Sequence, residues 1–223
     1  MKNLIAITAG EPESINSEII AKTWNKIRFK NKLLIIGNYS LLKNQFKKLN
    51  FKLPLNLIRE LKDFKKVKLN ILDVKILNSS ISKKKYILDC INLAHEFSLK
   101  GEIKGFITAP INKNVLEKKF LGITEYLAHK TNAKNYAMLI YNKKISVCPL
   151  TTHIPIKFVP QKITKRLIIN KIILIKNFFQ KVLKKNPKIA ITGLNPHCES
   201  IHKFNEDEKI IAPTIDFLKK KKF

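Results

Sequence analysis

Short apolar runs alternate along this chain with longer stretches whose apolar positions recur at helical spacing. LIAIT (Leu4–Thr8), KLLIIG (Lys32–Gly37), GFITAP (105–110) and KIAITG (188–193) are rich in β-branched residues and closed by Gly, Pro or a small residue. Each predicts a buried strand. The stretches 17–26, 40–49, 84–100, 164–185 and 206–221 predict helices. Parallel strands need crossovers of a dozen or more residues, so this alternation predicts an α/β fold with a substantially parallel sheet. One segment departs from it: in YAMLIYNKKISVCPLTTH two apolar runs flank Asn142, Lys143 and Lys144, which predicts a hairpin. A division between domains is expected near 118–122, giving a first α/β domain over 1–121 and a second over 122–223.

Composition narrows the class. With 223 residues, 45% of them hydrophobic and 27% charged, the chain can bury a sizeable core. No apolar run approaches the ~20 residues that cross a bilayer. The six-residue apolar stretch from Leu4 to Ala9 meets Glu11 and lacks the shape of a cleavable signal, so a cytoplasmic chain with no membrane partner is expected. Cys90, Cys148 and Cys198 are odd in number, far apart and without a CxxC, against a disulfide framework or structural zinc knuckle.

The net charge of +28, from 44 Lys and Arg against 16 Asp and Glu, would ordinarily suggest a polyanion partner. Only Arg28, Arg59 and Arg166 are arginine, the side chain that reads bases and phosphates bidentately. The lysines are dispersed and accompanied by abundant Ile and Asn, a compositional bias that accounts for the basicity without nucleic acid. A non-enzymatic basic nucleic-acid-binding protein is the alternative, and it would show a steep linear loss of log affinity with log salt.

Chemistry is expected at the strand exits, because open α/β sheets bind ligands beyond the carboxyl ends of their strands. Four such segments are polar and proline-stiffened: TAGEPES (8–14), TAPINK (108–113), TTHIP (151–155) and GLNPHCES (193–200). His153 and His197 each follow a predicted strand and sit beside a proline. Two neutral imidazoles brought to one cleft could bind a divalent metal, whereas a single loop histidine is ordinarily a packing or surface residue. His95 and His129 fall in helical patterns and His202 in a charged loop, with no reason to place them in the site. Neither GxGxxG nor GxxxxGK[ST] occurs, and 6 glycines leave little material for a backbone-lined nucleotide loop.

At these same segments the chain resembles the 4-hydroxythreonine-4-phosphate dehydrogenases of pyridoxal phosphate biosynthesis. ITAGEPESINSEII stands beside the family's PGEPAGIGPE, GFITAPINKNVL beside ITGPxxK, GITEYLAHKT beside GHTEYLA, PLTTHIPIKFVP beside TTHxPL, and GLNPHCES beside GLNPHAGE. The resemblance implies a three-layer α/β/α, isocitrate/isopropylmalate-dehydrogenase-like fold in two domains. It also implies a homodimer with the active site at the subunit interface. The implied reaction is NAD- or NADP-linked oxidation of a small phosphorylated amino-acid substrate at its 3-hydroxyl, followed by decarboxylation. By motif, His153 and His197 would be ligands of a divalent metal such as zinc, cobalt or magnesium, and Thr124 a substrate contact.

The departures are also informative. Ile123 stands where the family motif has histidine, which would suit another phosphorylated hydroxy acid such as threonate 4-phosphate. Family members continue past the position of Phe223, and the resemblance implies that a third metal histidine and further substrate and NAD residues lie there. A chain incomplete at its C-terminus is therefore expected, with little or no turnover.

Overall fold

Five parallel strands carry the first part of the chain. The computed structural model describes residues 4–27, 32–76, 80–116, 120–198 and 204–221. The chain divides into two units, Met1–Phe120 and Leu121–Phe223. The first contains β1 (Leu4–Thr8), α1 (Asn16–Ile27), β2 (Lys32–Gly37), α2 (Tyr39–Lys48), β3 (Leu55–Ile58), β4 (Leu69–Asp73), α3 (Ser80–Leu99) and β5 (Gly105–Thr108). The strands lie in the order β3-β4-β2-β1-β5, every neighbouring pair parallel. Leu4 is aligned with Lys32 and Ile5 with Gly105, so the carboxyl ends of β1 and β5 emerge side by side.

Hydrophobic burial explains the central position of β2, whose Leu33, Leu34, Ile35 and Ile36 are all buried, as a parallel strand covered on both faces requires. Ile20, Ala21 and Trp24 of α1 and Leu42 and Phe46 of α2 form one apolar cluster with Ile35, Leu69 and Ile71. From α3, Tyr86, Ile87, Cys90, Ile91 and Ala94 make a buried helical stripe. The Asn38 N–H donates to the Tyr86 hydroxyl oxygen at 2.9 Å. Burial pushes the Cys90 thiol up to about 12, which leaves it an unreactive core residue.

Strands β3 and β4 carry no sequence signal strong enough to predict them, and asparagine is the reason. Asn56 and Asn70 interrupt the Leu and Ile runs, and asparagine is depleted in strands. Here they are paired across the sheet: Asn56 Nδ2 donates to Asn70 Oδ1 at 2.8 Å. Asn70, 0% exposed, also accepts from the Lys65 N–H and donates to the carbonyls of Lys65 and Lys68.

The second unit contains α4 (Ile123–Lys130), the single turn α5 (Val159–Lys162), α6 (Lys165–Lys181) and α7 (Ala212–Lys220). Thr164 caps α6 by accepting from the Leu167 N–H at 3.2 Å. Ile163, Ile168, Ile172, Ile211 and Leu218 form its core. Residues 206–221 are not a uniform helix, since a π-helical turn over Asp207–Ile211 precedes α7. The predicted hairpin is reduced to one antiparallel bridge between Ile140 and Val147, closed by a turn in which the Lys144 N–H donates to Asn142 Oδ1. The strand predicted over 188–193 does not form: the segment has no ladder partner among the described residues, and Ile189 is 38% exposed. An apolar run becomes a strand only where a neighbour takes its N–H and C=O groups.

Candidate functional site

The exits of β1 and β5 are bound into one structure. Asn16, 2% exposed, donates from Nδ2 to the Pro110 carbonyl at 2.9 Å. The Glu11 N–H donates to the same carbonyl at 3.3 Å, and the Asn112 N–H donates to Glu11 Oε2 at 3.2 Å. Gly10 has φ +70°, and a Cβ there would strike the Asn16 side chain and come within 2.8 Å of the Pro110 oxygen. This glycine lets the chain pack against itself and leaves no cradle for a phosphate, so no nucleotide-binding role is assigned to it. Thr8 Oγ1 and Asn16 Oδ1 are buried with no hydrogen-bond partner.

In the second unit, Gly122 precedes α4 and gives it no side-chain cap. Ile123, Thr124 and Glu125 form the first turn, all partly buried, so Thr124 lies next to an acidic residue. Glu125 Oε1 accepts from the Thr152 hydroxyl at 3.3 Å, while Oε2 is buried and unpartnered. His153, exposed, brings its imidazole to the same place: Nε2 lies 3.7 Å from where a Cβ on Gly122 would stand. The structure therefore joins TTHIP to the turn that carries Thr124.

The GLNPH segment is held by a different acid. Asp207, 4% exposed, accepts from the Leu194 N–H at 2.7 Å, the Asn195 N–H at 3.1 Å and the Asn195 side-chain amide at 2.9 Å. Burial alone would raise its carboxyl; these three donors outweigh burial and hold it below the usual carboxylate range. A side chain on Gly193 would meet Cys198 Sγ and stand 2.8 Å from Asp207 Oδ1. His197 projects from this loop, exposed, and no hydrogen bond or ion pair among the described residues joins it to His153 or Thr124.

Backbone strain singles out the same loops. Six non-glycine described residues have positive φ, and Asn50, Asn132 and Lys184 each lie just beyond a helix end, an ordinary place for that conformation. The others are Glu13 at +60°, His153 at +56° and Cys198 at +57°, one in each of three polar segments. A left-handed residue costs roughly 1–2 kcal/mol, and such strain gathers where side chains must be aimed.

His153 and His197 match a divalent metal in kind and not in number. Among the described residues no group of three His, Cys, Asp or Glu side chains could hold a metal ion. A closed site requires donors beyond these two imidazoles, and no chemical step here is routed through a metal.

Residues 29–223 match the sequence model of the family described as pyridoxal phosphate biosynthetic protein PdxA. The chain belongs to the PdxA family. It is 38% identical to the 4-hydroxythreonine-4-phosphate dehydrogenase of Sulfurihydrogenibium sp. (strain YO3AOP1), covering 96% of this chain and 70% of that protein. With the enzyme of the same name from Aquifex aeolicus (strain VF5), identity is 33% over 99% of this chain and 72% of the relative. The crystal structure of 4-hydroxythreonine-4-phosphate dehydrogenase from Klebsiella pneumoniae superposes with a TM-score of 0.85 at 26% identity, over 98% of this chain and 72% of that one. The mixed α/β architecture with its parallel sheet is thus that of PdxA dehydrogenases. Glu125 and Asp207, the acids that hold the two histidine loops, escaped the sequence reading. One signal was available for Asp207: NEDE (205–208) concentrates three of only 16 acidic residues in a strongly basic chain.

Proposed function

We propose that this PdxA-family chain is a nicotinamide-dependent dehydrogenase that oxidises 4-phosphohydroxy-L-threonine at its 3-hydroxyl. Decarboxylation of the resulting β-keto acid gives 3-amino-2-oxopropyl phosphate for pyridoxine 5'-phosphate biosynthesis. The observation that carries this reading is the family match over residues 29–223, with relatives of that name at 33% and 38% identity. Bound NAD or NADP supplies the hydride acceptor. Thr124 offers its hydroxyl to the phosphorylated substrate from the first turn of α4. His153 and His197 present imidazole nitrogens to a divalent cation (zinc, cobalt or magnesium), completed by donors outside the described residues. The enzyme works as a homodimer in the cytoplasm, in the three-layer, isocitrate/isopropylmalate-dehydrogenase-like arrangement. A second reading, oxidation of another phosphorylated hydroxy acid such as threonate 4-phosphate, is favoured by one observation: Ile123, in the turn that carries Thr124, cannot hydrogen-bond to a ligand through its side chain.

The test is NADH or NADPH formation by the purified chain with each substrate in turn and each of the three metals. Little turnover is expected of these 223 residues, and what there is should fall at least about 100-fold in His153→Ala and His197→Ala, with Thr124→Ala raising KM. The ratio of kcat/KM for the two substrates decides between the readings. Turnover that survives both histidine substitutions overturns both.

A further inference from the structure

The structure assigns to Glu125 the role of positioning residue for His153, an inference that rests on the reading of His153 as a working imidazole. The two oxygens of this carboxylate have different surroundings. Oε1 takes the Thr152 hydroxyl at 3.3 Å and so ties α4 to the residue before His153. Oε2 is closed to water and has no partner, a costly state for an acceptor. Water cannot relieve it, so its donor must come from the protein.

No lysine or arginine forms an ion pair with Glu125 among the described residues. The notch beside Oε2 exists because Gly122 has no side chain: a Cβ there would stand 3.1 Å from Glu125 Oε2, 3.7 Å from His153 Nε2 and 4.0 Å from His153 Cδ2. Carboxylate and imidazole thus flank one gap, and in the proposed arrangement the exposed ring turns to close it. The Nε2–H of neutral His153 then donates to Oε2, and the Nδ1 lone pair faces outward, free for a ligand. A carboxylate behind an imidazole fixes both ring orientation and tautomer. The strain at His153 makes such a hold necessary, because φ +56° aims the side chain without locking its χ angles. The alternative is that Glu125 is only an acid in the first turn of a helix, worth a few tenths of a kcal/mol and indifferent to the ring.

Nitrogen-15 labelling of histidine in the full chain separates these cases without relying on turnover. The expected result is a downfield, exchange-protected imidazole proton on Nε2, assigned to His153 by its loss in His153→Ala, lost in Glu125→Ala and weakened in Glu125→Gln. Where turnover is measured, Glu125→Ala lowers kcat by about 10–100-fold with little change in KM, and Glu125→Asp restores part of it. Turnover that survives His153→Ala with the protected proton present sinks the proposed dehydrogenase site and leaves this inference standing. No protected proton on His153 in the wild-type chain, or one that survives in Glu125→Ala or is unaltered in Glu125→Gln, overturns it. The conservative Glu125→Gln keeps the test decisive if the alanine variant does not fold.

Discussion

The two units stabilise themselves by different means. In Met1–Phe120, the inner strands β4, β2 and β1 are paired on both sides, and side chains such as Leu34, Ile35, Ile71 and Trp24 lose nearly all contact with water. In Leu121–Phe223 the described residues include no strand ladder beyond one bridge, and the apolar core rests on five aliphatic side chains of α6, α7 and their approaches. There, side-chain carboxylates do work that neighbouring strands do in the first unit: Asp207 takes the backbone N–H groups of Leu194 and Asn195, and Glu125 holds Thr152. A sheet shares its stability over many bonds, whereas a carboxylate concentrates it in one residue. The proposed ligands His153 and His197 stand on loops of the second kind.

The sharpest way to break this contrast is to remove core volume from the sheet unit. Trp24→Ala should cost about 3–5 kcal/mol, the range for an aromatic deleted from a packed core. Chemical denaturation should register that loss together with faster amide exchange in β2 and β4. A cost below about 1 kcal/mol would show that the first unit does not depend on its core in this way.

Next in size is the carboxylate clamp. Asp207→Asn should destabilise by about 1–3 kcal/mol, because it weakens the acceptor of two backbone donors in the GLNPH segment. The pH dependence has a definite sign. Asp207 is held below its ordinary value of 3.8, so its contribution is complete above that pH and is lost as pH falls through the lowered folded value. The wild-type chain should lose stability on acidification below pH 3.8, and the asparagine variant should lose less over the same range. Identical acid titrations of the two would remove Asp207 from the account.

The smallest effect should be a near-cancellation. His153→Gly relieves a left-handed side-chain residue but removes the donor assigned to Glu125 Oε2, two opposed contributions of about 1–2 kcal/mol each, so its stability should stay within about 1 kcal/mol of the wild type. The same substitution should abolish turnover. A variant destabilised by more than about 2 kcal/mol would mean that the imidazole contributes packing beyond these two contributions.

The contrast also explains what could be read from the sequence. β1 and β2 are apolar runs at the centre of the sheet with a plain signature, β5 forms as a strand but at the sheet edge, with Ile107 exposed rather than buried as expected, and α1, α2 and α3 follow from helical spacing. β3 and β4 did not, since the half-buried Asn56 and the buried Asn70 look polar until they are seen to pair across the sheet. The run 188–193 misled for the converse reason: its composition is that of a strand, but pairing depends on a neighbour that local composition does not report. The four polar segments stood out through proline and polarity, and three of them carry left-handed residues. Glu125 and Asp207 escaped because their importance lies in which N–H or O–H they meet, over separations of 27 and 12–13 residues, and spacing of that kind has no periodic signature.

The asparagine pair between β3 and β4 has a consequence for how the chain finds its fold. A sheet built from Leu and Ile alone would tolerate a strand displaced by two residues, since the same face would still be apolar. Asn70 removes that tolerance. Shifted by two residues, Asn70 would keep its local bonds to the Lys65 and Lys68 backbone but lose the Asn56 amide across the sheet, at a cost of about 1–3 kcal/mol. The pair acts as a key that admits one alignment and rejects near misses. Because the partners are only 14 residues apart, that check can be made early, while the longer crossovers of the sheet are still open.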